Sequence, residues 1–167
     1  MSELLRAVHS SLALDAAARI VDEAIALRRR EGILPLAVAV LDGGGNLVCF
    51  KREDGCGVLR FDIALGKAWA ALGMGMSTRV IRDRLQQRVG FQSALAAASD
   101  GRFVPTPGGV LILDPGGREP SGAAIGAVGI SGDASDKDEY CAIQAVLAAG
   151  FAAEPPAPNP DWRAAGL

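Results

Sequence analysis

The chain of 167 residues contains a single histidine, His9, and three cysteines, Cys49, Cys56 and Cys141, with no C-x-x-C pair. This shortage argues against a structural zinc site, and the odd number of cysteines argues against a disulfide framework. A Ser-His-Asp or Cys-His triad would need His9, which lies close to the N-terminus, so we do not expect a hydrolase of that kind. The absence of C-x-x-C-H also excludes covalently attached haem.

The chain also lacks a large excess of positive or negative charge, since it has 17 Lys and Arg residues and 19 Asp and Glu residues. The only basic run is Arg28-Arg29-Arg30. A cationic last helical turn explains it, and the broad basic surface of a nucleic-acid binder is absent. No run of 18 apolar residues could cross a membrane, and no basic segment followed by an apolar core marks a signal peptide. We therefore expect a cytoplasmic protein without nucleic-acid or membrane partners.

Half of the residues are hydrophobic, but only 5% are aromatic, and alanine supplies much of the apolar content. Alanine-rich faces bury little area per residue, which favours a homo-oligomer. We divide the chain into an N-terminal arm (1–11), one domain (12–152) and a proline-rich tail (153–167). Prolines exclude a helix over 154–160, so the tail is expected to be disordered or docked on a neighbour through Trp162.

The hydrophobic patterns predict an α+β fold in which helices flank an antiparallel β-sheet. A capping box, Ser135-x-x-Asp138, is expected to open the last helix, which runs to Ala149. The other predicted helices span 14–31, 61–73, 78–88 and 91–98. The predicted strands form two hairpins, 36–41 with 47–52 and 110–113 with 122–131.

Two glycine-rich runs lie beside predicted strands, Pro105-Thr106-Pro107-Gly108-Gly109 and Gly126-Ala127-Val128-Gly129-Ile130-Ser131-Gly132. Glycine lets another backbone or a flat ligand come within contact distance of the main chain. The runs therefore suggest a pocket lined by backbone. Their spacing matches neither the P-loop nor the G-x-G-x-x-G dinucleotide motif.

Together with Asp42-Gly43-Gly44-Gly45-Asn46 and Asp62-Ile63-Ala64-Leu65-Gly66-Lys67-Ala68, these runs resemble the GlcG/HbpS family, also called the haem-degrading or DUF336 domain and related to the PduO C-terminal domain. The resemblance covers roughly Leu12 to Gly150. It implies a profilin-like antiparallel sheet flanked by helices, with haem or a related tetrapyrrole as ligand and cofactor. It supplies no obvious axial ligand. The candidates are His9, Cys56, Met74, Met76 and Tyr140.

Several polar positions are candidates for ligand binding. Arg52 ends the second predicted strand, where a guanidinium can hold a carboxylate bidentately. Asp62 opens a helix, where the helix dipole favours its charge. Lys67 lies in an apolar helix and can act as a base or an anion clamp, or extend to water with its stem on the core. The Pro107-Gly108-Gly109 turn can present amides to an anionic or enolate oxygen, or simply lead into a strand. For Asp62, Lys67 and the turn, the resemblance favours function.

Two functions stay open at this point. The first is binding of haem, a related tetrapyrrole or another small ligand in a glycine-lined pocket. The second is a small-molecule catabolic enzyme of the isomerase or tautomerase type, moving a proton on a carboxylate substrate. In either case we predict that Arg52, Lys67 and Gly109 line one pocket. Asp136, Asp138 and Glu139 are assigned to the start of a helix rather than to a metal.

Overall fold

The computed structural model describes residues 5–116 and 122–167. In these residues, five strands form one antiparallel sheet in the order β2-β1-β4-β3-β5. The strands are β1 (Ala37–Asp42), β2 (Leu47–Arg52), β3 (Gly109–Leu113), β4 (Ala124–Ser131) and β5 (Ala152–Glu154). The α-helices of the same residues are α1 (Leu14–Glu31), α2 (Arg60–Met74), α3 (Thr78–Leu85), α4 (Val89–Ala98) and α5 (Ser135–Ala148). The predicted α+β class is confirmed.

Helices cover both faces of the sheet. On one face, Val38 and Val40 of β1 pack in the main core with residues of α1 and α5. On the other face, Ala37 and Ala39 pack against Ala64 of α2. Because both faces are covered, β1 reads in the sequence as a continuous apolar run rather than an alternating one. Within the described part of the chain, no helix has the length and apolar character needed to cross a membrane.

A row of small residues lets α2 lie unusually close to the sheet. In the strand register, Ala39 pairs with Gly129, and Gly129 pairs with Gly109. A Cβ atom at Gly129 would lie 2.8 Å from the Ala68 nitrogen, and one at Gly109 would lie 2.6 Å from Thr78 Cγ2. No side chain fits in this gap. These glycines therefore admit a helix backbone, one of the two uses that the sequence left open.

The start of α5 differs from the prediction. The residue before the helix is Ala134, and it makes no side-chain capping bond, so the Ser135-x-x-Asp138 capping box is wrong. The Asp138 carboxylate instead accepts hydrogen bonds from the Asp133 amide (3.1 Å) and from Lys67 (2.9 Å). Lys67, which is distant in the sequence, thus pairs with the carboxylate that the local pattern assigned to capping the start of α5. The helix also ends one residue earlier than predicted, at Ala148.

The proline-rich tail packs on its own chain, in contrast to the expected disorder or docking on a neighbour. Its first part belongs to β5, which pairs with β3, so the expected boundary between residues 152 and 153 falls within a strand. Trp162 is 6% exposed and stacks on Tyr140 with ring centroids 3.7 Å apart. Arg163 then donates to Glu31 of α1 at 2.9 Å. The tail thus ties the sheet edge to both helices of one face.

Candidate functional site

Lys67 forms a buried ion pair at the end of β4. Its side chain is 2% exposed, and Nζ donates to Asp138 Oδ2 and to the Ile130 carbonyl, both at 2.9 Å. Burial raises the pKa of Asp138, and the Lys67 ammonium opposes that rise. The pair joins α2 on one face of the sheet to α5 on the other. Extension of Lys67 to water, which the sequence left open, does not occur.

The Pro107-Gly108-Gly109 turn is buried beside this ion pair. Gly108 has a φ of 116°, and a Cβ there would lie 2.9 Å from both Lys67 Nζ and the Ile130 carbonyl oxygen. The Gly109 amide donates to Thr78 Oγ1 at 2.8 Å. The structure therefore brings Lys67 and the turn together, with protein atoms filling the space beside the glycines. A ligand role for these residues stays a prediction.

Arg52 and Asp62 lie outside that buried group. Asp62 is exposed in the first turn of α2. Arg52 borders an open groove of about 690 Å³ between α1 and β2, where Phe50 and Ile25 supply the apolar surface. Neither Lys67 nor Gly109 lines this groove.

Most cations of the groove already have acidic partners. Glu53 accepts hydrogen bonds from Arg28 (2.6 and 2.8 Å), from Arg29 and from the Leu36 amide. Burial raises the pKa of Glu53, but these donors, Arg28 first among them, outweigh burial and hold that pKa below its usual value. Lys51 pairs with Asp22. Arg52 is thus left as the groove cation with no carboxylate partner in residues 5–116 and 122–167.

A second pocket, of about 320 Å³, lies between the end of α2, α3 and α4. Two arginines line it, Arg84 on α3 and Arg88 just before α4, and neither pairs with a carboxylate within the described ranges. The Arg88 guanidinium carbon lies 4.7 Å from the centroid of the Phe91 ring. The remaining lining is apolar and consists of Met74, Met76, Ile81, Leu85 and Phe91. An apolar pocket with a few charged groups is the usual form of a small-molecule site.

Both methionine candidates for an axial ligand, Met74 and Met76, line this pocket. Met74 also borders a neighbouring cavity of about 150 Å³, formed with Trp69, Leu95 and Phe103. His9 is exposed in the N-terminal arm, and Cys56 is buried with its sulfur 4.0 Å from the Ser131 carbonyl oxygen. Tyr140, the last of the axial-ligand candidates, donates its hydroxyl hydrogen to Glu31 at 3.2 Å.

The acidic residues of α5 face three different partners. Asp136 accepts from Asn159 of the tail, Asp138 from Lys67, and Glu139 lies 3.3 Å from Arg79 Nη1. Within the described ranges, no group of three or more His, Cys, Asp or Glu side chains is arranged to hold a metal ion.

Comparison with known proteins places the chain in a family. The sequence model described as haem degrading protein HbpS-like matches residues 12–147, and the chain belongs to that family. An uncharacterized 15.0 kDa protein from the dhaT-dhaS intergenic region of Citrobacter freundii is 30% identical over 131 residues, which cover 78% of this chain and 87% of that protein. The family suggested by the sequence is confirmed.

Solved structures agree on the fold. The crystal structure of Klebsiella pneumoniae ORFY, a DUF336 protein, is 27% identical and has a TM-score of 0.68, covering 89% of this chain and 96% of ORFY. The crystal structure of HbpS is also 27% identical, with a TM-score of 0.67 over 89% of this chain and 94% of HbpS. The PduOC:heme complex is 23% identical, with a TM-score of 0.69 over 86% of this chain and 98% of PduOC, and shows the same fold.

Proposed function

We propose that the chain binds haem or a related tetrapyrrole in the pocket between α2, α3 and α4. The observation that carries this proposal is the combination of two methionines and two arginines without carboxylate partners in the described residues, around one apolar pocket. A thioether can ligate haem iron, and guanidinium groups can pair with the propionates. The description of the family as haem degrading points to the same ligand.

The pocket walls fit such a ligand in chemistry and can adjust in size. A volume of about 320 Å³ is small for a tetrapyrrole. However, none of the residues of α4 is buried, and the apolar contact that a shift of this helix would break is that of the partly buried Leu95 with the cluster of Ala70, Ile81 and Leu85. Arg84 and Arg88 would hold and orient the carboxylates, Met74 or Met76 would face the iron, and Phe91 would cover the ring. The bound iron itself would supply the redox chemistry.

The test is a haemin titration followed by absorption spectroscopy. The native protein should give a saturable Soret shift. The double variant Met74→Leu/Met76→Leu should alter the spectrum of the complex, because the thioethers are gone. The variant Arg84→Gln/Arg88→Gln should weaken binding about tenfold or more through loss of two charge-assisted contacts. Arg82→Gln is the matched control, since Arg82 is on α3 with Arg84 but pairs with Asp83.

Three results would count against this proposal. A spectrum without saturation would remove haem as the ligand. Loss of the Soret shift in His9→Ala alone would move the axial ligand to the N-terminal arm. Unchanged binding in both pocket variants would move the site elsewhere.

The proton-transfer alternative has weaker support from the geometry. Its expected base, Lys67, already donates to Asp138 and to the Ile130 carbonyl in the protein interior. A buried lysine paired in this way has no open path to a substrate. We therefore rank tetrapyrrole binding first.

A further inference from the structure

We propose that Arg52 and Arg60 form a separate site for a small dicarboxylate at the end of the sheet, where β2, β4 and the start of α2 meet. This site shares no residue with the pocket lined by Met74 and Met76. It is therefore independent of the proposed haem site.

The strand register brings the site together. Ala37 at the start of β1 pairs with Arg52 on one side and with Ser131 on the other. Directly opposed residues in antiparallel strands project to the same face. Ala37 packs with Cys56 and Ala64 on the α2 face, so Arg52 and Ser131 flank a small, buried alanine on that face.

Two guanidinium groups converge around Cys56. Arg52 Nη1 lies 3.4 Å from the Cys56 carbonyl oxygen, and Arg60 Nη1 donates to Ser131 Oγ at 3.2 Å. The Cys56 sulfur lies 4.0 Å from the Ser131 carbonyl oxygen, so Cys56 and Ser131 link the two arginines. Burial raises the pKa of the Cys56 thiol, while both arginines act in the opposite direction, as expected if their charges lie near it.

Nearby acids do not neutralise these arginines. Glu53 is occupied by Arg28 and Arg29, and Asp138 by Lys67. Neither Arg52 nor Arg60 has an ion-pair partner in the portion of the chain that the structure describes.

Arginine has five N–H donors in a fork that matches a carboxylate. Arg52 and Arg60 each make one side-chain hydrogen bond to neutral oxygen, which leaves most of both forks available. Two such forks beside one residue suit a molecule with two carboxylates separated by a short chain. The buried Ser131 hydroxyl accepts from Arg60 and so holds that fork in position.

The experiment measures succinate binding by isothermal titration calorimetry near neutral pH, at constant ionic strength. Acetate serves as the comparison, because it can engage one fork only. The native protein should bind succinate saturably and at least about tenfold more tightly than acetate. Arg52→Gln and Arg60→Gln should each lower succinate affinity about tenfold or more. Arg30→Gln, an exposed arginine at the end of α1, should leave it unchanged.

The site would be disproved by an absence of saturable heat with succinate, by equal affinity for succinate and acetate, or by native affinity in Arg52→Gln. Because Arg60 also contacts Ser131, thermal unfolding checks that variant, and Arg52→Gln decides alone if Arg60→Gln does not fold. Arg84→Gln/Arg88→Gln should keep succinate affinity. Its loss would show that the anion binds at the haem pocket and would overturn a separate site, while failure of haemin binding would leave the dicarboxylate result unaffected.

Discussion

Replacing Glu139 with glutamine is expected to remove a large pH dependence of the free energy of unfolding. Glu139 on α5 is 0% exposed, and neither carboxylate oxygen has a hydrogen-bond partner in the described residues. Arg79 Nη1 lies 3.3 Å away, an ion-pair distance without hydrogen-bond geometry. Burial raises the pKa of Glu139 to about 7; Arg79 and Arg82 on α3 oppose the rise, whereas Asp136 and Glu154 add to it.

The sign and the size follow from linkage between proton binding and folding. The folded state binds the Glu139 proton more tightly than the unfolded state, whose pKa is near 4.5. The contribution of Glu139 to the free energy of unfolding is therefore largest below pH 4.5 and is lost as the pH rises through about 7. A rise from 4.5 to about 7 corresponds to about 3 kcal/mol of lost stability once the carboxyl is fully ionised.

The assay is urea unfolding followed by tryptophan fluorescence at several values from about pH 5 to about pH 8. Glu139→Gln should exceed the stability of the native protein by less than about 1 kcal/mol near pH 5 and by about 3 kcal/mol near pH 8, because no buried charge forms. Asp54→Asn, which changes an exposed acid, is the control and should keep the native slope. A variant with the native slope, or one less stable than native near pH 8, would refute the reasoning.

Three further predictions concern packing and assembly. Lys67→Met should destabilise the fold by about 3–5 kcal/mol in urea unfolding, because Asp138 is left as an unpaired buried charge, and Lys67→Met/Asp138→Leu should recover much of that loss; equal loss in both variants would contradict this. Trp162→Ala should lower stability by about 3 kcal/mol through loss of the stack on Tyr140, whereas unchanged urea midpoints would show that the tail does not contribute. Light scattering should give at least a dimer, as expected for a domain with exposed residues such as Val89 and Leu147; a mass of 17.2 kDa would refute it.

Local patterns were sufficient to predict most of the secondary structure. Helix α1 and strand β2 have the predicted bounds, since their hydrophobic periodicity and flanking turn residues are encoded within a few positions. Strand β5 was missed because its three residues are a strand only through pairing with β3, some forty residues earlier in the chain. The sequence of the proline-rich tail contains no local signal for such a long-range pairing.

The candidate sites were harder to predict for the same reason. Lys67 was recognised as unusual within its helix, but no local signal indicates that its partner is Asp138, on the opposite side of the sheet. Arg84 and Arg88 were missed, because two arginines four positions apart on a polar helix resemble an ordinary solvated face. The structure ends α3 at Leu85 and places Arg88 just before α4, a break that the predicted helix 78–88 did not contain. Only the placement of Met74 and Met76 beside them makes a pocket.

The packing of α2 decides where a flat ligand can bind. Beneath its middle, Gly109 and Gly129 bring the sheet so close that no Cβ fits, and the Lys67–Asp138 pair fixes the helix there. A tetrapyrrole inserted between α2 and the sheet would have to separate the helix from these glycines and break the Lys67–Asp138 ion pair. At the C-terminal end of α2, by contrast, Met74 lines a pocket together with α4, and no residue of α4 is buried. Gly129→Ala should therefore disturb folding rather than ligand affinity, whereas substitutions in α4 should change haemin affinity with little effect on the urea midpoint.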